Sequence, residues 1–128
     1  MVQGIEAMTT AALSLALDAA SLRQQAISAN IANSETLGYV PLKVSFEDQL
    51  EDARRALHDQ GRLDAPSLAG VEPRIEHVVP DGLSAHDQIR PDIEVAALAQ
   101  NAVQYQALIK GLSKHFAILF EAVGDGKK

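Results

Sequence analysis

VAALAQNAVQYQALIKGLSKHFAILFEAV, residues 95–123, is the stretch that decides the fold. Apolar residues recur through it at alternating steps of three and four: Val95, Leu98, Ala102, Tyr105, Ile109, Leu112, Phe116, Leu119 and Val123. That is the a/d seam of a heptad repeat, and it predicts one long helix packed against another helix rather than around a pocket. Such a helix is roughly 40 Å long at about 1.5 Å per residue. A chain of 128 residues cannot enclose it, so a partner helix is expected. Pro91 suits the first helical position, and Asp92 and Glu94 suit its positive end. Gly124 and Gly126 are expected to close it, with Lys127 and Lys128 at its negative end. The C-terminal coiled-coil helix is thus expected over 91–124.

The first third of the chain supplies the partner. From Ile5 to Ala29 one seam position reads Ile5, Ala12, Ala19, Ala26 and the other Met8, Leu15, Leu22, Ala29. Only Glu6, Asp18 and Arg23 are charged before Glu35. A helix with one solvated face normally carries more charge, so this one is expected to be covered on more than one side. It is either the inner helix of a hairpin or a helix buried among several subunits. The two terminal seams, of similar length, can pair antiparallel. The fold expected is mainly α: long N- and C-terminal helices paired as an antiparallel coiled coil, with a short third helix and an irregular or weakly β middle.

Between them the chain divides readily. The first helix is expected over 1–33, with a turn and extended segment at 34–44. Gly38 can adopt φ > 0, and the Ser, Thr and Asn side chains nearby can bond the backbone. Asn30 and Asn33, three apart, share a face; they either satisfy orphan carbonyls at the helix end or fix register against a partner. A short amphipathic helix is expected over 45–60. Ser45 is its candidate cap and Asp48 the capping-box carboxylate, with Phe46, Leu50, Ala53 and Leu57 at helical steps, and Gln60-Gly61 at its end. It would fold back on a larger helix or lie as an ordinary surface helix. Residues 61–90 are broken by Pro66, Gly70, Pro73, Pro80 and Gly82 and read as a connector. Within it Val71–Val79 suits a short strand and Pro80-Asp81-Gly82 a turn.

Composition narrows the chemistry. Hydrophobic residues make up 47% and aromatics 4%, which suits close packing of alanine-rich helices better than a sandwich or barrel. The formal charge is −6, from 11 basic and 17 acidic residues, with no clustered basic patch, so neither nucleic acid nor an anionic membrane is expected as a partner. There is no cysteine, hence no disulfide or thiolate site. His58, His77, His86 and His115 share no metal-ligand spacing, and no glycine-rich phosphate loop occurs. The acidic cluster Glu47, Asp48, Glu51, Asp52 is balanced in part by Arg54 and Arg55 and reads as a solvated face. No catalytic site, metal, cofactor or small-molecule substrate is expected. The N-terminus lacks the basic region and cleavage site of a signal peptide, and no apolar run reaches membrane-spanning length.

Ala29-Asn30-Ile31-Ala32-Asn33, followed by Thr36-x-Gly38-Tyr39, resembles the N-terminal signature of bacterial flagellar rod and hook proteins, with Leu37 where that family usually has proline. Asn101-x-x-x-Tyr105-Gln106-Ala107-Leu108, then Leu112-Ser113-Lys114-x-Phe116, is similar to the C-terminal helix of the membrane-proximal (FlgB-type) rod proteins. The middle departs from the family pattern: Asp81-Gly82-Leu83 stands where Asp-Gly-Asn is common, and extra residues precede Pro91.

The resemblance implies a structural subunit at the membrane-proximal end of the flagellar basal-body rod. Its partners would be copies of itself, other rod proteins, the adaptor FliE, the membrane ring and the export gate. The implied route is type III export without a cleaved signal, ending in the periplasmic rod. The implied motif and turn residues are Asn30, Asn33, Thr36, Gly38 and Tyr39. The residues alone point to a helix-packing interface of Ile5, Met8, Leu15 and Leu22 on the first helix. On the last helix it comprises Leu98, Tyr105, Ile109, Leu112, Phe116 and Leu119. A generic helical adaptor shares these seams but leaves the Asn30–Tyr39 signature without a role, and a small enzyme has no constellation behind it.

Overall fold

The computed structural model of the protein describes residues 2–61, 65–78 and 89–126. Two long helices dominate: α1 (Val2–Ala32) and α4 (Pro91–Asp125). Between them come β1 (Leu42–Ser45), α2 (Glu47–Gln60), α3 (Ala65–Ala69) and β2 (Arg74–His77). The fold is mainly helical, with the terminal helices packed on each other, a short middle helix and a small sheet. The helices run antiparallel: Thr10 meets His115, Leu13 meets Gly111, and Ala20 and Gln24 meet Asn101.

Alanine makes the pairing close. Ala19, Ala20 and Ala26 are each only 2% exposed, although α1 holds α4 on one side and β1, β2 and α3 on another. Small side chains let a helix approach two neighbours at once, at the cost of a thin core. Ala53, Leu68, Val71 and Ile89 complete the buried apolar set of the described residues.

The seam differs in phase from the all-apolar reading. The α4 side chains turned to α1 include Leu98, Asn101, Leu108, Leu112, His115 and Leu119, all buried or half-buried. Val95, Ile109, Phe116 and Val123 are exposed, at 54, 41, 41 and 60%. At about 100° per residue, a one-residue change of column turns the helix away from one apolar row toward a mixed one. Asn101 and His115 are tolerated there because α1 offers them hydrogen bonds. Asn101 Nδ2 donates to the Ala20 carbonyl at 2.9 Å and to Gln24 Oε1 at 3.1 Å, and His115 Nε2 lies 3.3 Å from Thr10 Oγ1.

The middle is more ordered than a plain connector. β1 and β2 pair antiparallel, Leu42 opposite His77 and Ser45 opposite Arg74, and the Val78 N–H adds a bond to the Pro41 carbonyl at 2.8 Å. The strand expected in 71–79 is therefore present at Arg74–His77, but its partner lies before α2, across two helices, rather than in a local hairpin. Every β2 side chain is exposed, and Arg74 and Glu76 put charge on this edge strand. Ser45 ends β1 instead of capping α2; Phe46 takes the cap position with no side-chain cap bond. The ladder bond pattern holds Ser45 extended, which removes it from the helix start. Gly61 closes α2 in the left-handed region at φ 68°, as a C-terminal glycine does. Gly124 lies inside α4, and Gly126 is right-handed with its N–H on the Ala122 carbonyl, so this end closes without a left-handed cap. Pro80-Asp81-Gly82 and His86 lie outside the described residues.

Replacing Leu112 with Asp places a carboxylate in the half-buried α1–α4 seam. A loss of about 3 kcal/mol in urea unfolding is expected, from lost burial plus an unpaired charge. An unchanged midpoint would show that the seam does not hold the helices together.

Candidate assembly interface

The turn after α1 is built on one amide. Asn30 is only 4% exposed. Its Nδ2 donates to the Leu42 carbonyl at 2.9 Å, and its Oδ1 accepts from the Leu42 N–H at 2.8 Å. The side chain thus treats Leu42 as a strand neighbour would, satisfying both backbone groups. The Tyr39 hydroxyl donates to the same Oδ1 at 3.0 Å. Asn33 extends the helix end: its Nδ2 donates to the Ala29 carbonyl at 2.9 Å, and Thr36 Oγ1 donates to its Oδ1 at 3.2 Å. Two backbone turns follow, Thr36 N–H to the Asn33 carbonyl and Tyr39 N–H to the Thr36 carbonyl. Gly38 has φ 76°, which lets the chain reverse toward β1. Asn30, Asn33, Thr36, Gly38 and Tyr39 are therefore one connected clasp. It ties the end of α1 to the start of the sheet, and Glu94 at the start of α4 lies close enough to act on Tyr39.

The packing residues expected from the seams divide. Met8, Leu15, Leu22, Leu98, Leu112 and Leu119 are half-buried. Tyr105, Ile109 and Phe116 are more exposed, at 38, 41 and 41%. The side chain of Ile5 lies outside the described residues. Beyond them, Val103, Ile118 and Phe120 expose 67, 56 and 76%. This is a long apolar surface on one helix. At about 100° per residue Phe120 joins Ile109 and Phe116 in one stripe, while Val103 and Ile118 lie on other sides of the helix, and an uncovered apolar stripe of this kind marks a contact site.

A second apolar feature lies on α1. A groove of about 620 Å³ runs between α1, the start of α2, α3 and α4. Leu15, Ala16 and Ala19 form its floor, and Phe46, Leu50 and Leu68 form a wall. The Arg23 guanidinium sits 5.4 Å from the Phe46 ring centre at the rim, a cation–π contact. Gln49 repeats the device of Asn30: its Nε2 donates to the Glu72 carbonyl and its Oε1 accepts the Glu72 N–H, at 3.0 and 2.8 Å.

Among the described residues no group of three or more His, Asp or Glu side chains is placed to hold a metal, and no helix is long and apolar enough to cross a membrane. His58 and His77 are exposed, His58 beside Asp59, while His115 packs in the seam. Sequence reasoning missed the seam role of Asn101 and the Gln49 clasp. For Asn101 a signal existed: Leu98, Asn101, Tyr105, Leu108, Leu112, His115 and Leu119 also follow steps of three and four.

Asn30→Ala strips both backbone groups of Leu42 of their partners and is expected to cost about 3 kcal/mol in urea unfolding, since each buried group left unpaired costs roughly 1–3. Asn30→Asp keeps the two acceptor bonds but sets a carboxylate against the Leu42 carbonyl, so it should fall between. The Tyr39 hydroxyl titrates above the ordinary phenol value of 10.0, through burial and then the nearby Glu94 carboxylate. Because its folded value is raised, its contribution is complete below pH 10 and is lost as the pH rises through that higher value. Urea midpoints measured from pH 9 upward should fall less steeply in Tyr39→Phe than in the parent. Parallel curves would refute this contribution of the hydroxyl.

Residues 5–39, which hold most of α1 and the whole clasp, match the family described as flagella basal body rod protein. The chain is 30% identical over 127 residues to the flagellar basal body rod protein FlgB of Bacillus subtilis (strain 168), an alignment covering 88% of this chain and 90% of that protein. The chain belongs to the flagellar basal body rod protein family.

Proposed function

We propose that this protein is a structural subunit at the membrane-proximal end of the flagellar rod. The likeness to a FlgB protein over nearly the full length of both chains carries this reading. Rod family membership places it in the flagellar basal body, assembling with other rod components. The finer assignment is that its terminal helices join it to copies of itself and to related rod subunits. In this position it links the membrane ring and the export gate, through a FliE-like adaptor, to the rest of the rod. Torque and exported subunits both pass along that connection. The chain reaches the periplasmic rod through the flagellar export apparatus without signal cleavage. It works by packing and carries no catalytic step.

The exposed apolar surface of α4 supports this reading. A rod subunit must keep such a surface for its neighbours, and a self-contained domain would bury it. The interface residues proposed are Leu98, Leu112 and Leu119 on the side of α4 that meets α1, and Met8, Leu15 and Leu22 on α1, with Tyr105, Ile109 and Phe116 directed to neighbours. Ile5 completes the first-helix row.

Electron microscopy of basal bodies from cells lacking this chain tests the proposal. Membrane rings without rods are the expected result. Complete rods and hooks would overturn the assignment and leave a general helical adaptor as the reading.

A further inference from the structure

The hairpin has two unlike flanks. At about 100° per residue, Gln104, Ala107 and Leu108 turn to one side of the α4 seam, and there they line the apolar groove. Val95, Ala102, Ile109, Phe116 and Phe120 fall in a row on the other side. That row carries no charge, and four of its five members are large exposed hydrophobics. The groove flank is concave and floored by alanine, while the row flank is a convex helix edge. Each copy of the chain therefore carries both halves of a fit that it cannot make with itself.

A polar pair lies at matching height. Asn101 is 4% exposed, and its Oδ1 is buried with no hydrogen-bond partner among the described residues. It lines a hollow of about 350 Å³ on the row flank, with Ala102 and Tyr105. Arg23 stands at the groove rim on the opposite flank, exposed, with no carboxylate partner among the described residues. The contacts of Asn101 with Ala20 and Gln24 put it level with Arg23 along the hairpin axis. Two copies set side by side in the same orientation bring the hollow beside Asn101 on one to the level of the Arg23 rim on the other.

We infer that the Val95–Phe120 row of α4 on one copy seats in the α1–Phe46–Leu50 groove of a second copy, both copies pointing the same way. This rests on the rod reading for the presence of neighbouring copies, but the contact itself is a separate claim. Because the two surfaces differ, the contact is heterologous and does not close as a twofold pair; repeated, it yields a ring or an open helical array. Antiparallel pairing of α4 with α1 is kept across the contact, so Ile109 of one copy faces the level of Ala16 of the next.

The chain has no cysteine, so introduced thiols report cleanly. Cells would produce two differently tagged copies, one Ala16→Cys and one Ile109→Cys, and be oxidised before basal bodies are isolated. A shift to a disulfide-linked dimer bearing both tags is expected, with none from either variant alone. The pair Ala12→Cys and Ser113→Cys, two small exposed residues at one level, repeats the test with the least risk to folding. Dimers bearing one tag, links only to other proteins, or no mixed dimer with either pair would overturn the proposal. Mixed dimers from chains absent from the basal-body fraction would support the contact and refute the rod placement instead.

Discussion

The constraint on which this structure depends is that α1 must serve two neighbours at once. Along one side it receives α4, and along another the β1–β2 ribbon and α3. Ala19, Ala20 and Ala26 make that possible, each nearly sealed from solvent while adding almost no bulk. The consequence is a core with little depth. Burial of apolar area is worth about 25 cal/mol per Å², so alanine contributes little per position. The remaining apolar side chains, Phe116, Phe120 and Val103 among them, stay at the surface. The same residues that let the chain fold as a hairpin therefore leave it incomplete as a monomer.

Where the thin core gives little specificity, side-chain amides supply it. Asn30 grips Leu42, Gln49 grips Glu72, and Asn101 donates to the Ala20 carbonyl. Each joins parts of the chain far apart in sequence, and two of them satisfy a donor and an acceptor of one residue together. A hydrophobic contact can slide by a turn with modest loss, whereas such a bond is made in one register only. Asn101 illustrates the exchange: its Nδ2 is doubly satisfied while its Oδ1 is not.

Much of this was legible in the sequence. The two long helices follow from heptad spacing, and the pairing partner from the matching spacing at the other end. The clasp was visible as residue types, since Asn30, Asn33, Gly38 and Tyr39 are turn chemistry after a long apolar helix. Its geometry was not, because nothing local says that Asn30 reaches twelve residues on to Leu42. The face of α4 was also hidden. Two rows on that helix keep steps of three and four, and the all-apolar one is the stronger pattern. The hairpin uses the row with Asn101 and His115, because Ala20, Gln24 and Thr10 meet their polar atoms, a fact that depends on both helices together. The β1–β2 pairing was hidden for a similar reason, as strands of four residues separated by two helices leave no pairing signal in either.

The three amide joints share one further property: none of the gripping side chains is ionised. The ion pairs among the described residues, such as Glu51–Arg54 and Glu72–Arg74, lie on exposed side chains and contribute little. Dissolved salt weakens attraction between surface charges but scarcely alters a hydrogen bond between neutral groups. The geometry of this subunit is thus set by contacts that are indifferent to the ionic strength around it, and a mechanical part built this way keeps its shape as the surrounding medium changes.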